Sequence, residues 1–133
     1  MENKINRETA TKEVERWLDF KKVSKKKKES NKEQIDVLVS AIVDGEIILE
    51  DDFSLTHNLR FEVGEEVKVS KLKYKPRVNV KQITQYLNGV KAGDADGRIL
   101  AYACALTGEP KGIIQALDTE DWSVVQNIVI FFL

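Results

Sequence analysis

The sequence predicts an α+β fold in a single domain covering residues 1–133. Two changes of apolar period predict it. Apolar residues recur at helical spacing up to Gly45, alternate by two from Glu46 to Tyr74, and return to helical spacing from Asn79. The length of 133 residues is enough for one sizeable core. The expected architecture is N-terminal helices, a three-stranded antiparallel meander and a C-terminal cluster of three to four short helices. Residues 1–30 read as a loosely attached basic segment, 31–78 as a helix plus the meander, and 79–133 as the helical part.

From Arg7 to Phe20, the residues Ala10, Val14, Trp17 and Leu18 share one helical stripe, with Phe20 off it. Residues 17–23 could equally run extended. Ser24 suits the N-cap of a following helix, although residues 25–28 put four lysines on a first turn that repels cations. Ile35, Leu38, Val39 and Ile42 make a firm stripe that stops at Gly45. Residues 46–50 then form a short strand, with Asp51 and Asp52 as its turn. Phe53, Leu55, His57, Leu59 and Phe61 alternate with polar residues, which predicts a strand with one dry and one wet face. Val67 and Val69 begin a third strand, but Leu72 and Tyr74 have the opposite parity. A bulge near Ser70 and Lys71 would restore the register.

Asn79 caps a helix in which Val80, Ile83, Tyr86 and Leu87 line one side until Gly89. Asp94 starts the next, which is apolar from Ile99 to Leu106 and closed by Gly108. Pro110 restarts a helix in its first turn, and Asp118 caps the last one. A helix as apolar as its continuation, Ile128-Val-Ile-Phe-Phe-Leu133, must be enclosed by something.

Composition narrows the function. At 42% hydrophobic and 32% charged, the chain is neither disordered nor membrane-like, and no apolar run approaches the ~18 residues of a membrane helix. Residues 1–4 lack the apolar core of a signal peptide, so a cytoplasmic location is expected. A single cysteine, Cys104, allows no internal disulfide. The net charge of −1 hides a blocked pattern. Residues 1–34 hold eleven basic and seven acidic side chains, 35–66 one and nine, 67–91 seven and none, and 92–133 two and six. Such blocks can complement each other within the fold or between self-associating copies.

Chemistry-bearing constellations are scarce. Asp94-Ala-Asp-Gly97 looks like part of a calcium loop. With Gly97 in sixth place, however, Ala92 and Ala103 would occupy the first and twelfth positions, where carboxylates belong. No phosphate-binding loop exists, and one histidine with one cysteine excludes a zinc site. Cys104 sits among alanines and His57 on a dry strand face, so both read as packing residues. Asp118 and Asp121 have the spacing of helix capping. The expectation is therefore no catalytic, cofactor or metal site. One binding alternative stands out: residues 67–91 carry seven bases and no acid, with Tyr74 and Tyr86 interleaved, as a nucleic-acid-binding regulator would. A basic sheet edge that discourages strand pairing explains the same pattern.

Several ordered stretches resemble the small tail assembly chaperones of tailed phages and prophages. They are Trp17-Leu-Asp-Phe-Lys-Lys-Val-Ser24, Leu38-Val-Ser-Ala-Ile-Val-Asp-Gly45 with Phe53-Ser-Leu-Thr-His-Asn-Leu-Arg-Phe61, and Leu72-Lys-Tyr-Lys-Pro-Arg-Val78. Asp94-Ala-Asp-Gly-Arg98, Ala105-Leu-Thr-Gly108, Leu117-Asp-Thr-Glu-Asp121 and Phe131-Phe132 continue the series. The resemblance implies a non-enzymatic role: binding the tape measure protein, keeping it soluble and recruiting tail-tube subunits in the host cytoplasm. It also implies absence from the finished virion. A holder for a long helical client needs exposed apolar ridges framed by charge. Trp17, Leu18 and Phe20 are expected to supply one, and Ile130, Phe131, Phe132 and Leu133 another. Trp122, Val125 and Val129 read as ordinary core.

Overall fold

The computed structural model describes residues 5–133; residues 1–4, on which the leader expectation rests, lie outside the described residues. Seven helices and three strands follow in the order α1 (Arg7–Phe20), α2 (Lys25–Ser30), α3 (Lys32–Val43), β1 (Ile47–Leu49), β2 (Leu55–Val63), β3 (Val69–Tyr74), α4 (Val80–Thr84), α5 (Ala95–Thr107), α6 (Lys111–Gln115) and α7 (Thr119–Val129). This is the expected α+β arrangement. Among the described residues, no helix is long and apolar enough to cross a membrane.

Local chemistry sets most of the boundaries. The side chains of Asn6, Ser24, Asn79, Asp94 and Asp118 each accept a backbone N–H from the first turn they precede. At Asn79 the bond is reciprocal, because the Gln82 side chain accepts the Asn79 N–H. Gly45 and Gly108 end α3 and α5 with φ of 79° and 73°, a region that a Cβ would disfavour. The lysine-rich α2 survives as six residues, its Lys28 paired with Asp19 at 2.9 Å.

The strands form an antiparallel meander in the order β1-β2-β3. His57, at its centre, stands opposite Ile47 on one side and Leu72 on the other, and Leu55 stands between Leu49 and Tyr74. These residues form the face covered by helices: α3 lies against β1, α7 against β2 and α5 against β3. Ile48, Thr56 and Lys73 make the opposite, outer row. The Lys75 N–H donates to Leu106 O (2.9 Å) and its Nζ to Ala105 O (3.2 Å), so the chain leaving β3 is tied to the carbonyl end of α5. A cation suits that end of the helix dipole.

Three expectations need correction. First, α1 is not loosely attached. Ala10, Val14, Trp17 and Leu18 are all buried in the common core, because their stripe packs on α3. Second, the strand alternation does not begin at Phe53, which has φ of 66° in the turn before β2, nor does it hold at Phe61, which is 57% exposed. Third, the register shift expected near Ser70 and Lys71 is found opposite Ser70, but its extra residues lie on β2. Asn58 pairs with Lys71 and Val63 with Val69, so residues 59–62 face the single Ser70.

Asp121 holds that bulge in place. Its carboxylate, fully buried in the first turn of α7, accepts the N–H of Arg60 (2.9 and 3.1 Å) and of Phe61 (3.2 Å). The strand's unpaired donors and the positive end of the helix dipole together compensate the buried charge. The Arg60 side chain meanwhile pairs with both oxygens of Glu46 (3.1 and 2.9 Å), fastening the entry to β1. Asp121→Ala would orphan the bulge donors and is expected to cost about 3 kcal/mol. Asp121→Asn should be milder but still destabilising. Urea unfolding midpoints of the two variants check this, and an unchanged midpoint for Asp121→Ala would remove the clamp from the account.

Candidate functional site

His57 is the first site to test for chemistry. Its Nδ1 lies 3.1 Å from the Tyr74 hydroxyl, and its Nε2 lies 3.9 Å from Asp121 Oδ1, beyond hydrogen-bond reach. Which group donates in the contact with Tyr74 follows the histidine tautomer, and the buried Nε2 has no hydrogen-bond partner among the described residues. Tyrosine, histidine and aspartate in a row suggest a proton relay. All three are 0% exposed, however, and no substrate reaches them. Burial raises the Tyr74 pKa well above its ordinary value. Cys104 is likewise buried in α5, and burial pushes its thiol pKa up, away from the reactive thiolate. No hydrogen bond joins Cys104 to His57 among the described residues. Among those residues there is also no cluster of three or more histidine, cysteine, aspartate or glutamate side chains placed to hold a metal. Asp94 and Asp118 act as caps.

Burial is the largest influence on His57 and lowers its pKa below 6.5, against the opposing pull of Asp121 and Glu46. The unfolded chain therefore binds a proton at pH values where the folded chain resists it. This contribution to stability is complete above about pH 6.5 and is lost as pH falls below it. The expected slope is at most ~1.4 kcal/mol per pH unit. Unfolding midpoints measured between about pH 7.5 and about pH 5 should show it, and His57→Gln should flatten the curve.

The residues expected to form two apolar ridges are instead brought together. The Trp17 ring meets Phe131 edge-on at 5.9 Å and 82°, and Phe132 at 5.8 Å and 59°. Trp17, Leu18 and Phe131 are at most 3% exposed, so they are core and offer no ridge. The ends of the fold satisfy each other's apolar surface, which is why neither remains free. Phe20 lies flat on Phe53, with centroids 4.3 Å apart and planes 2° from parallel. Ile130 and Phe132 are half-buried, and Leu133 is exposed. The basic stretch is also divided: Tyr74 is buried and presents no ring to a base, whereas Lys71 and Lys73 face outward from β3.

What the aromatic contact leaves open is a cleft of about 350 Å3 beside Phe132. Val78, Ile83, Leu87 and Phe132 provide its apolar lining, Lys21 and Arg77 its charge, and Tyr102 a hydroxyl. No lining residue is acidic. The C-terminal turn of α1 delivers Lys21, and the Lys75 anchor on α5 fixes the chain just before Arg77. Lys21 Nζ stands over the Phe132 ring, 3.2 Å from its centroid, and 5.6 Å from that of Trp17. Burial first, then Arg77 and Lys27, lowers its pKa from 10.5 to about 7, while the two ring faces favour the cation. Sequence patterns marked Arg77 only as one base of residues 67–91 and missed Lys21 and Tyr102, because nothing local distinguishes a lysine at a helix end from a solvated one.

A second hollow, about 580 Å3, lies between α5, α6 and α7. It mixes Asp94 and Asp96 with Lys111, so its lining carries an excess of one acidic residue. Comparison with protein-family models, with curated proteins and with solved structures finds no match to this chain.

Since the folded pKa of Lys21 lies below the unfolded one, its contribution to stability should rise as pH climbs above about 7. Lys21→Met keeps the packing against Phe132 and removes the charge. It is expected to abolish that rise and to increase the melting temperature at neutral pH. An NMR titration of the lysine side chains should show one of them titrating near 7.

Proposed function

We propose that this chain is a non-enzymatic tail assembly chaperone that binds the tape measure protein and keeps it soluble during tail morphogenesis. One observation carries this beyond the sequence resemblance. Three stretches of that resemblance, residues 17–24, 72–78 and Phe131-Phe132, meet in space and supply Lys21, Arg77, Val78 and Phe132 to the same cleft. A hollow that combines apolar and polar lining with two cations suits a helical client that buries a few apolar side chains at each contact. Many copies along one client would add such weak contacts into firm retention. Nucleic-acid binding by residues 67–91 has less support, since Tyr74 is withdrawn into the core.

The test is co-expression with a tape measure fragment that is insoluble alone. Wild type is expected to hold the fragment in the supernatant. Val80 lines the cleft and is 82% exposed, so Val80→Asp should weaken capture several-fold while leaving the melting curve unchanged. A wild type that never solubilises the fragment, together with salt-dependent retention on nucleic acid, would replace the chaperone by a nucleic-acid-binding protein.

A further inference from the structure

We propose that the cleft between α4 and Phe132 recognises a carboxylate presented by an apolar segment of a partner protein, with Lys21 and Arg77 as its ligands. The inference takes its biological meaning from the chaperone function proposed above, and names the chemistry that the client must carry.

Charge and shape support it together. Lys21 and Arg77 line one hollow with no acidic residue in the lining, and among the described residues neither forms an ion pair. The neighbouring lysines differ in this respect. Lys28 is paired with Asp19 at 2.9 Å, and Lys27 donates to Leu133 O at 2.7 Å. Lys21 is instead held over the rings of Phe132 and Trp17, which fix the ammonium in place without neutralising it. Burying this cation beside Arg77 is unfavourable, as its lowered pKa reflects, and an arriving carboxylate would reverse that cost. Arg77 is the more accessible of the two and offers a planar fork suited to both oxygens of a carboxylate. Besides Asn79, Thr84 and Tyr102, the rest of the lining is apolar, Val78, Ile83, Leu87 and Phe132 among it, so a bare anion such as phosphate would leave that apolar part of the cleft uncovered. The volume of about 350 Å3 accommodates one acidic side chain with its apolar neighbours rather than a folded domain.

The probes are the peptide acetyl-Ser-Leu-Leu-Glu-Leu-Phe-Ser-amide, its counterpart with glutamine in place of glutamate, and N-acetylphenylalanine. Each is titrated into the full chain by NMR at neutral pH. The glutamate peptide is expected to bind roughly tenfold more tightly than the glutamine peptide, and to shift the resonances of α4 and of Phe132. In Lys21→Gln and Arg77→Gln the two peptides should bind alike, and Lys21→Arg should restore the preference. Because Arg77 is exposed, Arg77→Gln keeps the test valid even if Lys21→Gln fails to fold. Equal binding of the two peptides to wild type, or binding of neither, overturns the proposal. N-acetylphenylalanine binding as tightly as the glutamate peptide also overturns it, in favour of a small-molecule site. Solubilisation of the tape measure fragment is measured in parallel. If it persists while both peptides fail, the carboxylate inference falls and the chaperone function stands. If the peptides discriminate but the fragment stays insoluble, the client is another protein.

Discussion

A carboxylate with no access to water must find its compensation in fixed dipoles, and Asp121 finds it in the bulge of β2. The exchange serves both elements. The strand has amide donors that its neighbour cannot accept, because residues 59–62 face a single residue of β3. The helix has a buried charge that only such donors can stabilise. Their meeting fixes α7 against the sheet. The orientation of α7 in turn decides where Phe131 and Phe132 lie, hence where Trp17 seats and where the cleft opens. The geometry of a surface feature thus traces back to a polar contact in the interior.

Features written into short stretches of sequence were legible. The caps at Ser24, Asn79, Asp94 and Asp118, and the stops at Gly45 and Gly108 all depend on atoms within four residues of each other. The meander was legible as well, because Leu55 and His57 on β2 and Leu72 and Tyr74 on β3 carry the period of two in their own residues. The bulge lies beside Ser70 as its parity required, but the strand that carries it was not legible, for a physical reason. Parity shows that a register must shift, but either strand can absorb the extra residues. A partner 60 residues away made the choice here. Phe53 was drawn into the strand by the same blindness. It continues the alternation in letters, yet its ring stacks on Phe20, and its backbone adopts a turn conformation.

The candidate contact residues show a different limit. Hydrophobicity told correctly that Trp17, Leu18 and Phe131 needed cover, but it carries no address for what covers them. Two apolar segments at opposite ends of a sequence look like two sticky surfaces until the fold places them face to face. The charged groups that line the cleft are ones that no pattern assigned to a common site. Lys21 is one of eleven basic residues in the first 34, and only its position over Phe132 sets it apart. Arg77 follows a proline in a loop and belongs to no periodic pattern at all.

The contact between Trp17 and Phe131 also governs when the domain can close. It joins α1 to residues that are made only after all the other elements described here. During synthesis the indole has no native cover, and the core cannot be completed until the last helix and its aromatic turn have emerged. Closing so long a loop carries its entropic cost in one late step rather than several early ones. Until Phe131 has been made, the nascent chain displays a tryptophan without its native cover.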